Sequence, residues 1–307
     1  MQPSVNLLDI WYSLTFSYSY NASIVCLALI FQGLISGIIG GLLLHRRKAL
    51  LTDTLSHATL PGVGIGFLIS LFFMDGAREE WVILGGALFT VVLALGVMRL
   101  LERWMRQDAA LSLTLSGFYG GGVVLLSYIQ TIPSGTKAGL EYFLLGQSAT
   151  INLAETTLIS SGALVVFVAY FALYKEWKLL CFDQKYAAAL GYNINLLDLL
   201  LTILACITIA VGIRSMGLIL IMGIITIPAL TASLLVKNWS AFILTSALIG
   251  AISAHIGVSI SAGLDDVPSG SAIILFGMLF YFTALIWRTL HDRYGNLWAR
   301  HETRQDN

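Results

Sequence analysis

Long apolar stretches separated by short polar ones fill almost the whole chain. Crossing a hydrocarbon core of roughly 30 Å takes about 20 helical residues, and stretches near that length recur from residue 22 onward. They do not alternate between apolar and polar positions, so they predict helices and not the strands of an outer-membrane barrel. The predicted fold class is therefore all-α, a polytopic membrane protein of about nine transmembrane helices (eight to ten). The nine stretches are residues 22–44, 54–74, 81–101, 109–131, 153–174, 196–213, 217–236, 240–262 and 270–288.

These spans predict one transmembrane domain, residues 22–290, with a short segment on either side. Residues 1–21 include a short aromatic stretch, Leu7–Tyr20, which favours a helix lying at the membrane interface. No basic segment with a cleavage site precedes the first span, so we expect no removable signal peptide. Residues 291–307 form a basic tail.

Basic residues predict the orientation of the chain. If the turn at residues 46–48 is cytoplasmic, alternating spans leave Arg78, Lys137 and Arg214 outside and the other 14 of the 17 Lys and Arg residues inside. Cytoplasmic loops of membrane proteins are enriched in Lys and Arg. The N-terminus is then outside and the C-terminal tail inside, as expected for a bacterial inner membrane protein.

Composition agrees with a lipid environment and excludes some functions. Apolar residues make up 57% of the chain, charged residues 11%, and the mean hydropathy is +0.84. Acidic and basic residues balance at 17 each, so no net charge predicts binding to nucleic acid. Cys26, Cys181 and Cys206 stand singly, without the spacing of a zinc or redox motif, and we interpret them as packing residues.

Two ionisable residues at the start of the second span are the best candidates for a metal site. Asp53 and His57 are four residues apart, about 40° around a helix, so their side chains can converge on one ion. Oxygen and nitrogen ligands suit manganese, iron or zinc. The alternative makes Asp53 the N-cap of this span and His57 an ordinary interior residue. Two ligands are also too few, so a site needs water, a partner subunit or another span.

The cytoplasmic loop after the fifth span contains an alanine-rich stretch, residues 183–192, that predicts a short helix. Asp183 can cap its start and Gly191 can end it. Tyr186, Ala187 and Leu190 then form a small apolar face suited to a groove of another protein. The alternative is a surface helix packed on its own domain.

Several other polar or helix-breaking residues can be explained either by a function or by ordinary packing and turn formation. His255 and Pro228 can line a pathway through the membrane or serve packing. Asp265 and Asp266, in an outer loop, can attract cations, although such residues more often serve turns. Glycines four residues apart, at 33, 37 and 41 and at 62 and 66, predict that the first two spans pack closely on each other.

Nucleotide-binding and hydrolase motifs are missing from the sequence. It contains no GxxxxGK[ST] phosphate loop, no HExxH and no GxSxG motif. Any ATP used must therefore bind to another subunit. Nine apolar spans alone also permit a secondary transporter driven by an ion gradient, although paired interrupted repeats are not evident. A membrane enzyme that uses Asp53 and His57 lacks a further catalytic cluster.

Four stretches, in this order and spacing, resemble the membrane permease subunits of metal-type ABC importers for manganese, zinc or iron. The resemblance covers about residues 24 to 290 and is carried by residues 45–62, 183–192, 212–232 and 266–270. It implies a type II importer architecture, with two permease subunits, two cytoplasmic ATPases and an extracytoplasmic metal-binding protein. ATP would be bound by the partner ATPase, and this chain would be a transport subunit with no enzymatic activity and no permanently bound cofactor.

The same resemblance implies roles for individual residues. Asp53 and His57 match positions that contact metal in the pathway, and residues 183–191 match the coupling helix that sits in a groove of the ATPase. The sequence departs from the usual pattern at Gln184, where proline is common, and in its added basic tail. Homodimer and heterodimer of permeases both remain open, and so does the identity of the metal.

Overall fold

The computed structural model describes residues 20–73, 80–132, 151, 153–262 and 268–305. Every regular element in these ranges is a helix. The helices are α1 (Tyr20–His45), α2 (Ala49–Phe73), α3 (Glu80–Leu101), α4 (Gln107–Thr131), α5 (Leu153–Ala172), α6 (Tyr174–Phe182), α7 (Gln184–Ala189), α8 (Ile194–Met216), α9 (Leu218–Leu235), α10 (Trp239–Ala262) and α11 (Ser269–Gln305).

Nine of these helices correspond one to one to the nine predicted apolar stretches. Within the described ranges, eight are long and apolar enough to cross a membrane, and Leu220–Leu235 in α9 is a shorter apolar helix. The prediction of an all-α, multi-pass membrane protein is therefore confirmed. The predicted interfacial segment up to residue 19, and Asp265 and Asp266, lie outside the described residues.

The helices of the sixth and seventh apolar stretches, α8 and α9, are separated by a single glycine. The sequence predicted the sixth to end at residue 213, but α8 continues to Met216. Gly217 then adopts a φ of 83°, which disfavours any other residue, and its N–H donates to the Ile213 carbonyl at 2.8 Å. Helix α9 begins directly afterwards, so the chain reverses with almost no loop.

The glycines of α1 do not pack against α2, contrary to the sequence prediction. A Cβ added at Gly33 would collide with the backbone of Gly250 in α10, and one added at Gly37 would collide with Ser246 in the same helix. The Ser246 hydroxyl also donates to the Gly37 carbonyl at 2.7 Å. Small residues allow such close approach, which drives helix association in lipid. The partner of α1 is thus α10, more than 200 residues further along the chain.

The glycines of α2 have a different partner, α3. A Cβ at Gly62 would meet the Gly86 backbone, and one at Gly66 would lie 2.7 Å from the Ile83 Cα. A small apolar core lies among α2, α3 and α4, separate from the main core formed chiefly by α1, α5, α8, α9 and α10. The close packing that the spacing predicted is present, but each helix makes it with a partner that the spacing did not indicate.

Candidate functional site

The two predicted metal ligands project from the first turns of α2. This helix begins at Ala49, so Asp53 is its fifth residue and is not the N-cap that the alternative interpretation required. Asp53 and His57 lie one turn apart on the same side of the helix, and both side chains are half-buried. The two side chains therefore occupy the positions from which they can approach a common ion.

The imidazole of His57 packs against a tyrosine of α4. The ring centroids of His57 and Tyr119 are 4.8 Å apart, with an angle of 72° between the ring planes, which is an edge-to-face contact. The Nδ1 atom of His57 is buried and has no hydrogen-bond partner in the described structure, and the same holds for the hydroxyl of Ser56. Buried polar atoms are nearly always paired, and this ring nitrogen is free to accept a further partner.

One side of α4 is uncovered in the described part of the chain. A Cβ added at Gly117, Gly120 or Gly121 would have no atom within 4 Å. On the opposite side of the helix, a Cβ at Gly122 would lie 2.6 Å from the Cβ of Leu60 in α2. Helix α4 is thus packed against α2 on one side and open on the side that carries these three glycines.

The described residues provide some, but not all, of the ligands that a divalent transition metal needs. A carboxylate and an imidazole are suitable ligands for manganese, zinc or iron. Among the described residues, however, no three His, Cys, Asp or Glu side chains come together in one group. Asp53 and His57 therefore stay candidate ligands, and no third such side chain accompanies them among the described residues.

The structure does not bring His255 to Asp53 and His57. The Nδ1 atom of His255 in α10 lies 2.9 Å from the sulfur of Cys26 in α1. Pro228 is buried within α9. The proposed pathway role of these two residues stays a prediction, and both have packing partners that give them an ordinary structural explanation.

The short helix α7 has the predicted local geometry. The carboxylate of Asp183 accepts a hydrogen bond from the Tyr186 N–H at 2.9 Å, which is an N-cap. Gly191, at a φ of 87°, donates to the Ala188 carbonyl, and Tyr192 donates to the Ala187 carbonyl at 3.2 Å. These two hydrogen bonds form a Schellman motif, which ends α7.

The exposed face of α7 differs from the predicted one by one residue. Tyr186 is 54% exposed and Leu190 is 55% exposed, as a docking face requires. Ala187 is 1% exposed, so it packs inside this chain and cannot contact a partner. Phe182, at the end of α6, is also 65% exposed and adds to the apolar surface at this end of the molecule.

Sequence reasoning missed two residues near these sites. Nothing in the local pattern indicated that Tyr119 lies against His57, because they are on different helices. Asp198 forms ion pairs with Arg46 and Lys48, at 2.8 and 3.1 Å. It did carry a signal, since a lone carboxylate within an apolar run requires a partner.

Comparison with known proteins identifies the family. Residues 18–288 match the family described as the ABC 3 transport family. The chain is 33% identical over 258 residues to the zinc transport system membrane protein TroC of Treponema pallidum, with 83% of this chain and 85% of that protein covered. It is 30% identical over 259 residues to the manganese transport system membrane protein MntC of Bacillus subtilis, with 83% and 58% covered.

Solved structures show the same fold. The structure of PsaBC from Streptococcus pneumoniae in complex with Fab superimposes with a TM-score of 0.76 at 22% identity, covering 91% of this chain and 95% of that chain. An inward-facing structure of a putative metal-chelate type ABC transporter gives a TM-score of 0.63 at 20% identity, with 86% and 84% covered. The chain belongs to the ABC 3 transport family, as a multi-pass membrane permease subunit.

Proposed function

We propose that this permease forms the membrane pathway of an ATP-driven importer for a divalent transition metal, manganese or zinc, with iron as the further candidate. Two permease subunits would enclose the pathway. Asp53 and His57 would bind the ion in transit. ATP would be bound and hydrolysed by separate cytoplasmic subunits, and an extracytoplasmic protein would deliver the metal.

The arrangement around His57 is the observation that carries the proposal. Asp53 and His57 lie one turn apart in a membrane-spanning helix, and a buried ring nitrogen of His57 lacks a hydrogen-bond partner. Ionisable residues inside a membrane are costly and are usually functional. The relatives named for zinc and manganese transport support the choice of ion.

A second permease subunit would complete the site. The chain would supply two ligands, whereas zinc, for example, is almost always held by four in structural sites. Helix α4 packs against the ligand helix α2 through the side that carries Gly122, and its open glycine side is free for close contact with another helix. Contact through this side would join two copies by way of α4, the helix that packs against α2.

Uptake measurements test the role of the ligand pair. The permease, its ATPase and its binding protein are expressed in cells that lack their own importers, and uptake of manganese, zinc and ferrous iron is measured separately. We expect ATP-dependent uptake of at least one metal, and its loss when Asp53→Ala and His57→Ala are combined. The matched control, Asp108→Ala with His291→Ala, alters two exposed residues of the same types and is expected to leave uptake unchanged. Equal uptake by the ligand variant and the control would refute the metal-binding role.

The cytoplasmic face of α7 is proposed as the ATPase contact. Tyr186 and Leu190 are exposed apolar residues on a capped, short helix, and Phe182 lies close by in the chain. The basic turn at residues 46–48 contacts the segment before and after α7, so both lie at the same end of the molecule. This shared location supports the cytoplasmic orientation of that end, with the N-terminus outside.

Co-purification tests this contact. Tyr186→Glu combined with Leu190→Glu should detach the ATPase, because two carboxylates cannot be buried in an apolar groove without a large desolvation cost. Trp104→Glu, at an 83% exposed aromatic residue between α3 and α4, is the control. Stoichiometric ATPase in both preparations would contradict the assignment. Ala187→Glu is unsuitable because it would place a charge inside the chain.

A further inference from the structure

The side chain of Arg46 connects the turn between α1 and α2 with α6, α7 and α8. Arg46, in the turn between α1 and α2, contacts Asp198 of α8 through two nitrogens, Nη2 at 2.8 Å and Nε at 3.1 Å. Lys48 lies 3.1 Å from the same carboxylate. Paired N–H donors on a carboxylate form the strongest and most directional kind of ion pair. Asp198 thus fixes the position of the turn from which α2 begins.

Arg46 also holds the helices that precede the proposed ATPase contact. Its Nη1 atom donates to the Leu180 carbonyl, in the last turn of α6, at 3.2 Å. The same nitrogen lies 3.5 Å from the Gln184 side-chain oxygen at the start of α7. A cation at a helix C-terminus satisfies free carbonyls and interacts favourably with the helix dipole. The guanidinium therefore contacts α6, α7 and α8 at once.

Helix α6 is fixed to α8 by a second contact. Trp177, which is fully buried, points its indole N–H at the Leu197 carbonyl, 3.5 Å away and one residue before Asp198. The side chain of Ala187, within α7, is also buried. The short helices therefore form one packed unit with the first turns of α8.

The turn that carries Arg46 is tight and leaves α2 little freedom at its start. Lys48 donates to the Leu43 carbonyl and Arg47 to the Leu44 carbonyl, and Arg47 has a φ of 55°. These hydrogen bonds form a Schellman motif with arginine at the position that glycine usually occupies. Helix α2 begins at the next residue after Lys48. A displacement of the ion pairs is therefore passed directly to the helix that carries Asp53 and His57.

The ion pairs are shielded enough to transmit such a displacement. The side chains of Arg46, Lys48 and Asp198 are 10%, 12% and 20% exposed. Salt screens exposed charges strongly but shielded pairs much less. Removing one member of a shielded pair leaves an uncompensated charge, which is more costly than losing a surface pair.

We propose that Asp198 is a positioning residue that couples movement of the ATPase-contacting helix α7 to α2. This inference rests on the proposed function. Asp198 does not contact the ion. It acts through Arg46 and Lys48, so that α2 follows the short cytoplasmic helices when the ATPase subunits close and open.

The ratio of metal taken up to ATP hydrolysed tests the inference. The complete complex of permease, ATPase and binding protein is reconstituted in liposomes, and both rates are measured for wild type, Asp198→Asn, Asp198→Glu and the exposed control Asp108→Asn. We expect Asp198→Asn to retain bound ATPase and ATP hydrolysis while metal uptake per ATP falls about tenfold, within the range typical of coupling between two sites. Asp198→Glu should restore most of the ratio, and Asp108→Asn should match wild type.

Two outcomes overturn the inference. An unchanged ratio in Asp198→Asn shows that the pairs do not couple the helices, and a parallel fall of uptake and hydrolysis with loss of the ATPase shows a purely structural role. Wild-type complex that takes up no metal with ATP refutes the proposed function itself, which is a distinct result.

A distance measurement covers the case in which the asparagine variant is poorly folded. Spin labels are placed at Leu50→Cys in α2 and Ala188→Cys in α7, both exposed, after the three native cysteines are replaced. In the wild-type background, the distance between the labels should keep one narrow distribution with and without ATP. In Asp198→Glu it should stay narrow, and in Asp198→Asn it should broaden. Equal widths in all three backgrounds would contradict coupling.

Discussion

At the scale of single residues, burial changes the chemistry of side chains that the sequence presents as ordinary. The rings of His57 and Tyr119 pack edge to face, and this contact orients the imidazole before any ion is bound. Cys181, at the end of α6, is another example. Burial raises the pKa of its thiol to about 12, while the nearby Arg46 lowers it and Asp198 raises it. Because Cys181 lies near Arg46 and Asp198, its reactivity reports on the region around these ion pairs.

The thiol of Cys181 should react slowly with maleimides. The thiolate is the reactive form, and a pKa near 12 in place of 9.0 leaves very little of it at neutral pH. In a background with Cys26→Ala and Cys206→Ala, labelling at pH 7.5 should be much slower at Cys181 than at a cysteine introduced by Ala188→Cys on exposed α7. The exposed site is measured with Cys181 replaced by alanine.

The pH dependence of the same labelling has a definite sign. The rate at the exposed cysteine should level off near pH 9, whereas the rate at Cys181 should continue to rise. Folding stability should be unaffected by this thiol below about pH 9 and should fall above it, because the unfolded chain then loses a proton that the folded chain retains. Equal rates at both sites would contradict the raised pKa.

At the scale of helices and turns, the termini are defined by local sequence, but one turn uses an unfavourable residue. Asp183 caps α7, Asn193 caps α8 through the Leu196 N–H, and Gly191 ends α7. The turn between α1 and α2 instead has arginine at a φ of 55°. A residue with a Cβ is strained in this region by roughly 1–2 kcal/mol relative to glycine.

Arg47→Gly should therefore stabilise the protein. We expect the free energy of unfolding to rise by about 1 kcal/mol, because glycine adopts this conformation without the clash of a Cβ. The control is Arg106→Gly, which removes the same side chain at a φ of −65° and should be neutral or destabilising. Thermal unfolding of the detergent-solubilised permease measures both. A lower midpoint for Arg47→Gly would show that its side chain contributes more than its backbone costs.

At the scale of the whole molecule, the family assignment and the open side of α4 together predict an assembly. The fold matches that of the solved PsaBC structure over 91% of this chain. Helix α4 exposes Gly117, Gly120 and Gly121 with no atom near an added Cβ, while Gly122 faces α2. Within a membrane, an uncovered side of small residues is suited to close contact with a second helix.

Gly121→Leu should prevent this contact. A leucine at Gly121 would hold the second permease away from α4, so the detergent-solubilised protein should have half the mass of the wild type in light scattering. Gly96→Leu is the matched control, since an added Cβ at Gly96 in α3 also meets no atom within 4 Å. Equal masses for the two variants would show that the glycine side of α4 does not form the dimer contact.

The sequence alone determined the properties that depend on neighbouring residues. Apolar stretches of membrane-spanning length predicted the helices, because their backbone groups must be satisfied within the segment in lipid. Asp183 and Gly191 predicted the ends of α7 correctly, because a cap acts over three or four residues. The spacing of Asp53 and His57 likewise predicted that both lie on one side of α2, because four residues make about one helical turn.

Only the tertiary structure decided which helices meet. The glycine spacing was correct as a sign of close packing, but the partners are α10 for α1 and α3 for α2. Ala187 is buried although its sequence neighbours Tyr186 and Leu190 are exposed. The contacts of His57 with Tyr119 and of Arg46 with Asp198 join residues 62 and 152 positions apart. Such pairs depend on how whole helices pack, and hydropathy and turn chemistry describe only one segment at a time.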